Sequence, residues 1–171
     1  MRLVKLEVDR YDWAQLRCGC GQSGEHVAER LLEVAMTPPG GDLDFDWLDG
    51  HIADSVVLYE PAVPAVSVAL AALADDVSPA GRFAFLELLL ALVAGESSAW
   101  SLAAEGRDIP EECRTAAAGG LWLLYSEVFA LRSKGAAASA FEILTIVEPD
   151  ERRLAMVREV LGGELGMIAD W

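Results

Sequence analysis

Residues 61–95 read PAVPAVSVALAALADDVSPAGRFAFLELLLALVAG, and this stretch decides the fold class. Pro61 and Pro64 suit the first turn of a helix, where a missing N–H costs little, and Val63, Val66, Leu70 and Leu73 then recur at helical spacing. Asp75-Asp76 closes that helix and Ser78-Pro79 opens the next. Acidic groups are unfavourable at a helix C-terminus, but the dipole of the following helix favours them, so a tight helical hairpin is predicted. The second arm, 79–94, is apolar almost all round, with Arg82 and Glu87 as its only charges and Gly95 as its stop. Such a helix belongs in the centre of a core.

The same punctuation extends in both directions. Ser23 has the character of a cap, Val27, Leu31, Val34 and Ala35 follow at helical period, and Pro38-Pro39-Gly40-Gly41 forbids continuation. The outer side of this helix carries Glu25, Glu29 and Glu33 at steps of four, three carboxylates in a row facing solvent. Segment 42–59, DLDFDWLDGHIADSVVLY, begins with acidic and apolar residues in alternation; a short helix after a capping aspartate is expected. Asp108-x-x-Glu111 has capping-box spacing and opens a long helix, with end signals at Arg132, Lys134 and Gly135 and a bend or break at Gly119-Gly120. A last pair runs over 136–147 and, after Glu148-Pro149-Asp150, to about Leu161, closed by Gly162-Gly163. The terminal ELGMIADW is expected to fold back, with Trp171 covering apolar surface.

The alternation over 42–47 is also what a strand would show, though the short helix is preferred there, and residues 3–8 are the one other segment that admits a strand. The predicted fold is all-α: one domain over 1–171, built of about seven helices as stacked antiparallel hairpins, either a short α-solenoid or a compact helical array. No repeat of residues is visible.

Charge narrows the function. The formal net charge is −15, and no lysine or arginine occurs between Arg30 and Arg82. Such a field repels phosphate backbones and anionic lipid, so a basic protein partner is expected and direct nucleic-acid or membrane contact is not. The opening MRLVKLEVDRYDW lacks the apolar core of a secretory signal, and the apolar stretches fall short of the roughly 20 residues that a bilayer needs. Three cysteines without a signal read as reduced thiols in the cytoplasm.

Candidate chemistry is sparse. Cys18-x-Cys20 with His26 offers three donors that suit zinc, but a structural site takes four, no second paired motif is visible, and Cys113 is remote in the chain. A calcium loop over Asp42, Asp44, Asp46 and Asp49 fails, because position six is Trp47 and position twelve is Ala53. Glu111 and Glu112 stand at a helix start, where carboxylates serve the dipole. Trp122, Tyr125 and Phe129, three and four apart, read as core packing. With two histidines and no nucleophile elbow or phosphate loop, no catalytic, cofactor-binding or metal-binding residue is expected, and an enzyme is not predicted.

The strongest binding candidate is an acidic and aromatic patch, Asp42, Asp44, Phe45, Asp46, Trp47 and Asp49, together with Glu25, Glu29 and Glu33. Large rings beside carboxylates suit a basic partner.

Runs 9–36, DRYDWAQLRCGCGQSGEHVAERLLEVAM, and 51–76, HIADSVVLYEPAVPAVSVALAALADD, resemble bacterial HEAT-like repeat proteins of the actinobacterial type. The matching points are Trp13, Gly21, Leu31-Leu32, His51, Tyr59 and the helix over 62–70 with Pro64, within a span of about residues 10–95. The resemblance implies a HEAT-like array and a role as an immunity or interaction protein of a toxin system. The chain departs from that pattern at Cys18-Gly19-Cys20, and it has no arginine at the start of its repeat helices, the commonest HEAT signature. The expected function is an immunity-like inhibitor whose acidic face neutralises a basic toxin or enzyme; the alternative is a scaffold or regulatory subunit that takes a helix or peptide in its groove.

Overall fold

Every neighbour of helix α3, Ala62–Ala74, must approach closely, because six of its positions are alanine and none is charged. Ala62, Ala65, Val66, Val68, Ala69 and Ala72 are fully buried, so the helix is enclosed by apolar contacts on nearly every side. The structure is a computed structural model that describes residues 1–41 and 46–165. Among these residues the other helices are α1 Arg2–Asp9, α2 Glu25–Met36, α4 Pro79–Val93, α5 Trp100–Ala104, α6 Ile109–Ala118, α7 Leu121–Ala130, α8 Lys134–Val147 and α9 Glu151–Leu165. Helix α3 packs against α1, α2, α4, α6 and α7, and α8 lies across α4, α6 and α7. This is an all-α compact helical array.

Three two-residue strands sit at the N-terminal end of α3. They are β1 Ala53–Asp54, β2 Val57–Leu58 and β3 Ser97–Ser98, with β1 antiparallel to β2 and β2 parallel to β3. Ala53 faces Leu58 and Leu58 faces Ser98, which ties the segment before α3 to the one after α4. Residues 3–8, admitted above as a strand, form α1, which buries Val4 and Val8 on one face. The expected short helix in the acidic segment is a single 3-10 turn, Asp46–Leu48.

The α3–α4 hairpin forms as predicted, with the Ser78 hydroxyl accepting from the Gly81 N–H. Its acidic residue works differently from expectation. Asp75 does not serve the start of α4; its carboxylate accepts from the Leu3 and Val4 N–H groups and so caps α1, whose own N-cap supplies no side chain. Burial opposes ionisation of Asp75, but hydrogen bonds from the Met1 amino group and from the Asp76, Val4 and Leu3 N–H groups outweigh it and hold the carboxyl at about 2. The two charges of α4 also turn inward. Arg82 donates to the Leu73 and Asp75 carbonyls and to buried Glu127, and Ser139 of α8 donates to Glu87.

The glycine pair breaks the predicted long helix into α6 and α7. A Cβ on Gly120 would lie 2.4 Å from Leu70 Cδ2, so the break is where α3 presses on the backbone. The end signals shift as well. Leu131 takes the left-handed conformation after α7, and Ser133 caps α8, so Gly135 lies inside a helix. Helix α9 continues through Gly162-Gly163 to Leu165, and the proposed fold-back of the last residues lies outside the described residues.

Replacing Asp75 by alanine should cost about 1–2 kcal/mol of unfolding free energy at neutral pH, the usual worth of a helix cap. A carboxyl with a lowered pKa stabilises above its unfolded value and loses that contribution as pH falls. The destabilisation measured by denaturant titration should therefore be full at pH 7 and fade as the pH falls below 4 towards about 2.

Candidate functional site

The segment 16–24 folds back on itself through a tight loop. Cys18 N–H donates to the Gln22 carbonyl, Gly21 N–H donates to the Cys18 carbonyl, and Gly21 takes a positive φ of 81°. Cys20 thereby returns beside Cys18, with 3.4 Å between the sulfurs. Helix α2 starts with Gly24 as N-cap, while the Ser23 hydroxyl donates to Glu25 instead of capping. His26 stands in the first turn, and its Nε2 reaches 3.4 Å from Cys18 Sγ and 3.9 Å from Cys20 Sγ.

The fourth member comes from elsewhere. Gly19 N–H donates to the His51 carbonyl, which fixes the segment after the 3-10 turn against the cysteine loop. His51 Nδ1 then lies 3.5 Å from Cys18 Sγ and 2.9 Å from His26 Nε2. One donor atom from each of Cys18, Cys20, His26 and His51 lies within 4.8 Å of all the others. Cys113, the remote fourth candidate in the sequence, is buried on α6 and does not join the group. His51 was legible only as a point of family resemblance, since a single histidine 25 positions after His26 carries no spacing signal.

Gly19 permits this packing. A Cβ there would lie 2.6 Å from Tyr59 Cε2 and 2.7 Å from the Gly50 carbonyl oxygen. Burial pushes the Cys18 thiol up to about 11. Two thiols and two imidazoles suit a soft or borderline cation.

An ion-pair network holds the loop from the other side. Buried Glu60, just before α3, accepts from the Arg17 backbone N–H at 2.7 Å, from the Arg17 guanidinium, and from Arg107 at 3.0 Å. Arg17 also pairs with Glu105, and Arg107 with Glu112. The Arg17 hydrogen bond outweighs burial and keeps the Glu60 carboxyl below its ordinary value. Cys18 therefore follows a residue clamped to the head of the central helix.

The expected partner patch is assembled in part. Glu25, Glu29 and Glu33 are exposed on α2 and Asp49 is exposed nearby in the chain. Trp47 is half-buried, with Arg30 6.0 Å above its ring, and Arg30 pairs with Glu33. Asp42, Asp44 and Phe45 lie outside the described residues, as does the side chain of Asp46. Glu111 and Glu112 occupy the first turn of α6 as predicted, where Asp108 caps.

A second surface was read incorrectly from sequence. Of the stripe assigned to the core, only Tyr125 is buried; Trp122 is 74% exposed and Phe129 48% exposed. With Met156 and Val160 of α9 they line an apolar groove of about 690 Å³. Arg153 organises it, lying over the rings of Trp122 and Tyr125 while pairing with Glu148 and Asp150. The Tyr125 hydroxyl donates to Glu148 at 2.7 Å beneath.

Comparison with protein families, with curated proteins and with solved structures finds no match to this chain. No helix among the described residues is long and apolar enough to cross a membrane.

Gly19→Ala should destabilise the fold by about 1–3 kcal/mol, the usual cost of overpacking, because one of the two close neighbours is backbone that cannot rotate away. Thermal unfolding of the variant checks this, and an unchanged melting temperature would refute the packing assigned to the loop.

Proposed function

We propose that the chain is a protein-binding module of the inhibitory, immunity-like kind, which captures a basic partner. The observation that carries the binding part is the exposed groove of α7 and α9. Trp122, Phe129, Met156 and Val160 form one apolar surface around a fixed guanidinium, the composition of an interface anchor. The net charge of −15 and the exposed carboxylates of α2 favour a partner of opposite sign. Charge of this kind raises the encounter rate, and buried aromatic contact sets the lifetime of the complex. The resemblance to HEAT-like proteins suspected in toxin immunity points the same way.

A second reading is a scaffold or regulatory subunit that takes an acidic amphipathic helix in the groove. Exposed Arg152 beside Arg153 favours it, since both guanidinium groups stand on the lining. Salt separates the two. With the product of a neighbouring gene as partner, raising the salt from about 0.05 M to 0.5 M should slow association at least tenfold for the inhibitor, through screening of the long-range field. Trp122→Ala should weaken the complex by about 2 kcal/mol, or roughly thirtyfold, with little change in melting temperature. Association that salt leaves unchanged or speeds up, as screening of the repulsion between an acidic helix and this chain would do, would favour the scaffold, and binding that ignores Trp122→Ala would remove the groove from either reading.

A further inference from the structure

We propose that Cys18, Cys20, His26 and His51 bind one zinc ion as a closed structural centre that joins the cysteine loop and the 46–51 segment to the start of α2. Zinc in structural sites is held by four sulfur and nitrogen donors in a tetrahedron. Bond lengths of about 2.3 Å to sulfur and 2.05 Å to nitrogen give edges near 3.8 Å between sulfurs, 3.6 Å between sulfur and nitrogen, and 3.3 Å between nitrogens. The corresponding separations are 3.4 Å for the sulfurs, 3.4, 3.5 and 3.9 Å for three sulfur–nitrogen pairs, and 2.9 Å for the imidazoles. Five of the six edges thus lie within about 0.4 Å of the zinc geometry. The sixth, from Cys20 to His51, is within 4.8 Å, and Cys20 is exposed, so its side chain has room to swing inwards.

The surroundings are built for the same task. Without a cation, two imidazole nitrogens confront each other beside a buried sulfur, and one proton must be shared between them. With a cation, one donor atom from each of the four residues can share a single centre. The Gly19 N–H donates to the His51 carbonyl, which holds the cysteine loop and the His51 segment in place around the donor group. The donor set holds no carboxylate, which argues against calcium and magnesium. Four protein donors leave no open position, so the centre is structural and not catalytic. The sulfurs are not bonded to each other at 3.4 Å, and both thiols are free to ligate. This proposal does not depend on the binding function above.

The full chain purified without chelator should contain stoichiometric zinc by elemental analysis. Stripped of metal and titrated with cobalt(II), it should develop the visible bands of a tetrahedral centre together with thiolate-to-cobalt charge transfer. Cys20→Ser, at an exposed position that leaves the core intact, should weaken zinc binding by at least about a hundredfold, beyond the loss seen for outer partners. His51→Gln should do the same, and chelation should lower the melting temperature of the parent by several degrees but not that of either variant. A chain that takes up neither zinc nor cobalt overturns the proposal, and so does zinc binding unchanged in Cys20→Ser and His51→Gln.

Discussion

Helix α3 can be stable only if its neighbours enclose it, and that constraint organises the molecule. It has no charged side chain and little but methyl and branched aliphatic groups to offer. Its alanines remove the bulk that would hold five helices apart, and at Gly120 the fit is tight enough that α3 meets bare backbone. An apolar helix also cannot satisfy its own ends. Arg82 from α4 supplies donors to carbonyls at its C-terminus, and Asp75 beyond that end serves the N-terminus of α1. The C-terminus of α3 and the N-terminus of α1 are therefore each completed by a residue from outside the helix, which links packing to polar satisfaction.

The head of α3 has the opposite character. Glu60 gathers Arg17 and Arg107 from two loops distant in sequence, and the small sheet adds backbone pairing among residues flanking the same helix. The Cys–His group stands on this clamped end. It draws its members from the loop after α1, the first turn of α2 and the segment before β1, and buried Trp13, Val27 and Ile52 beside it belong to the core. Were a cation bound there, the free energy of binding four preplaced donors would count directly towards folding.

The Cys–His group and the apolar groove fall to different elements. The donor group occupies α2 and its flanking loops, whereas the apolar groove lies on α7 and α9 and is ordered by Arg153 with Glu148 and Tyr125. The carboxylate row of α2 borders the donor group, so cation binding also bears on the most acidic helix face.

The sequence by itself determined the helical class, the α3–α4 hairpin, the start of α6 at Asp108 and the overall charge, because proline, glycine, caps and helical period act within a few residues. Sequence could say that Gly119-Gly120 was a weak point; only the pressure of Leu70 decided that the helix breaks there. It could place Trp122 and Phe129 on a helical stripe, yet which stripe is covered depends on where α9 lies, and no local pattern records that. Likewise Cys18, Cys20 and His26 were visible as an incomplete set, and His51 entered it only through chain closure over 25 residues. Such contacts are fixed by the whole packed array, because the free energy that brings distant segments together resides in the core and not in the spacing of the residues that meet.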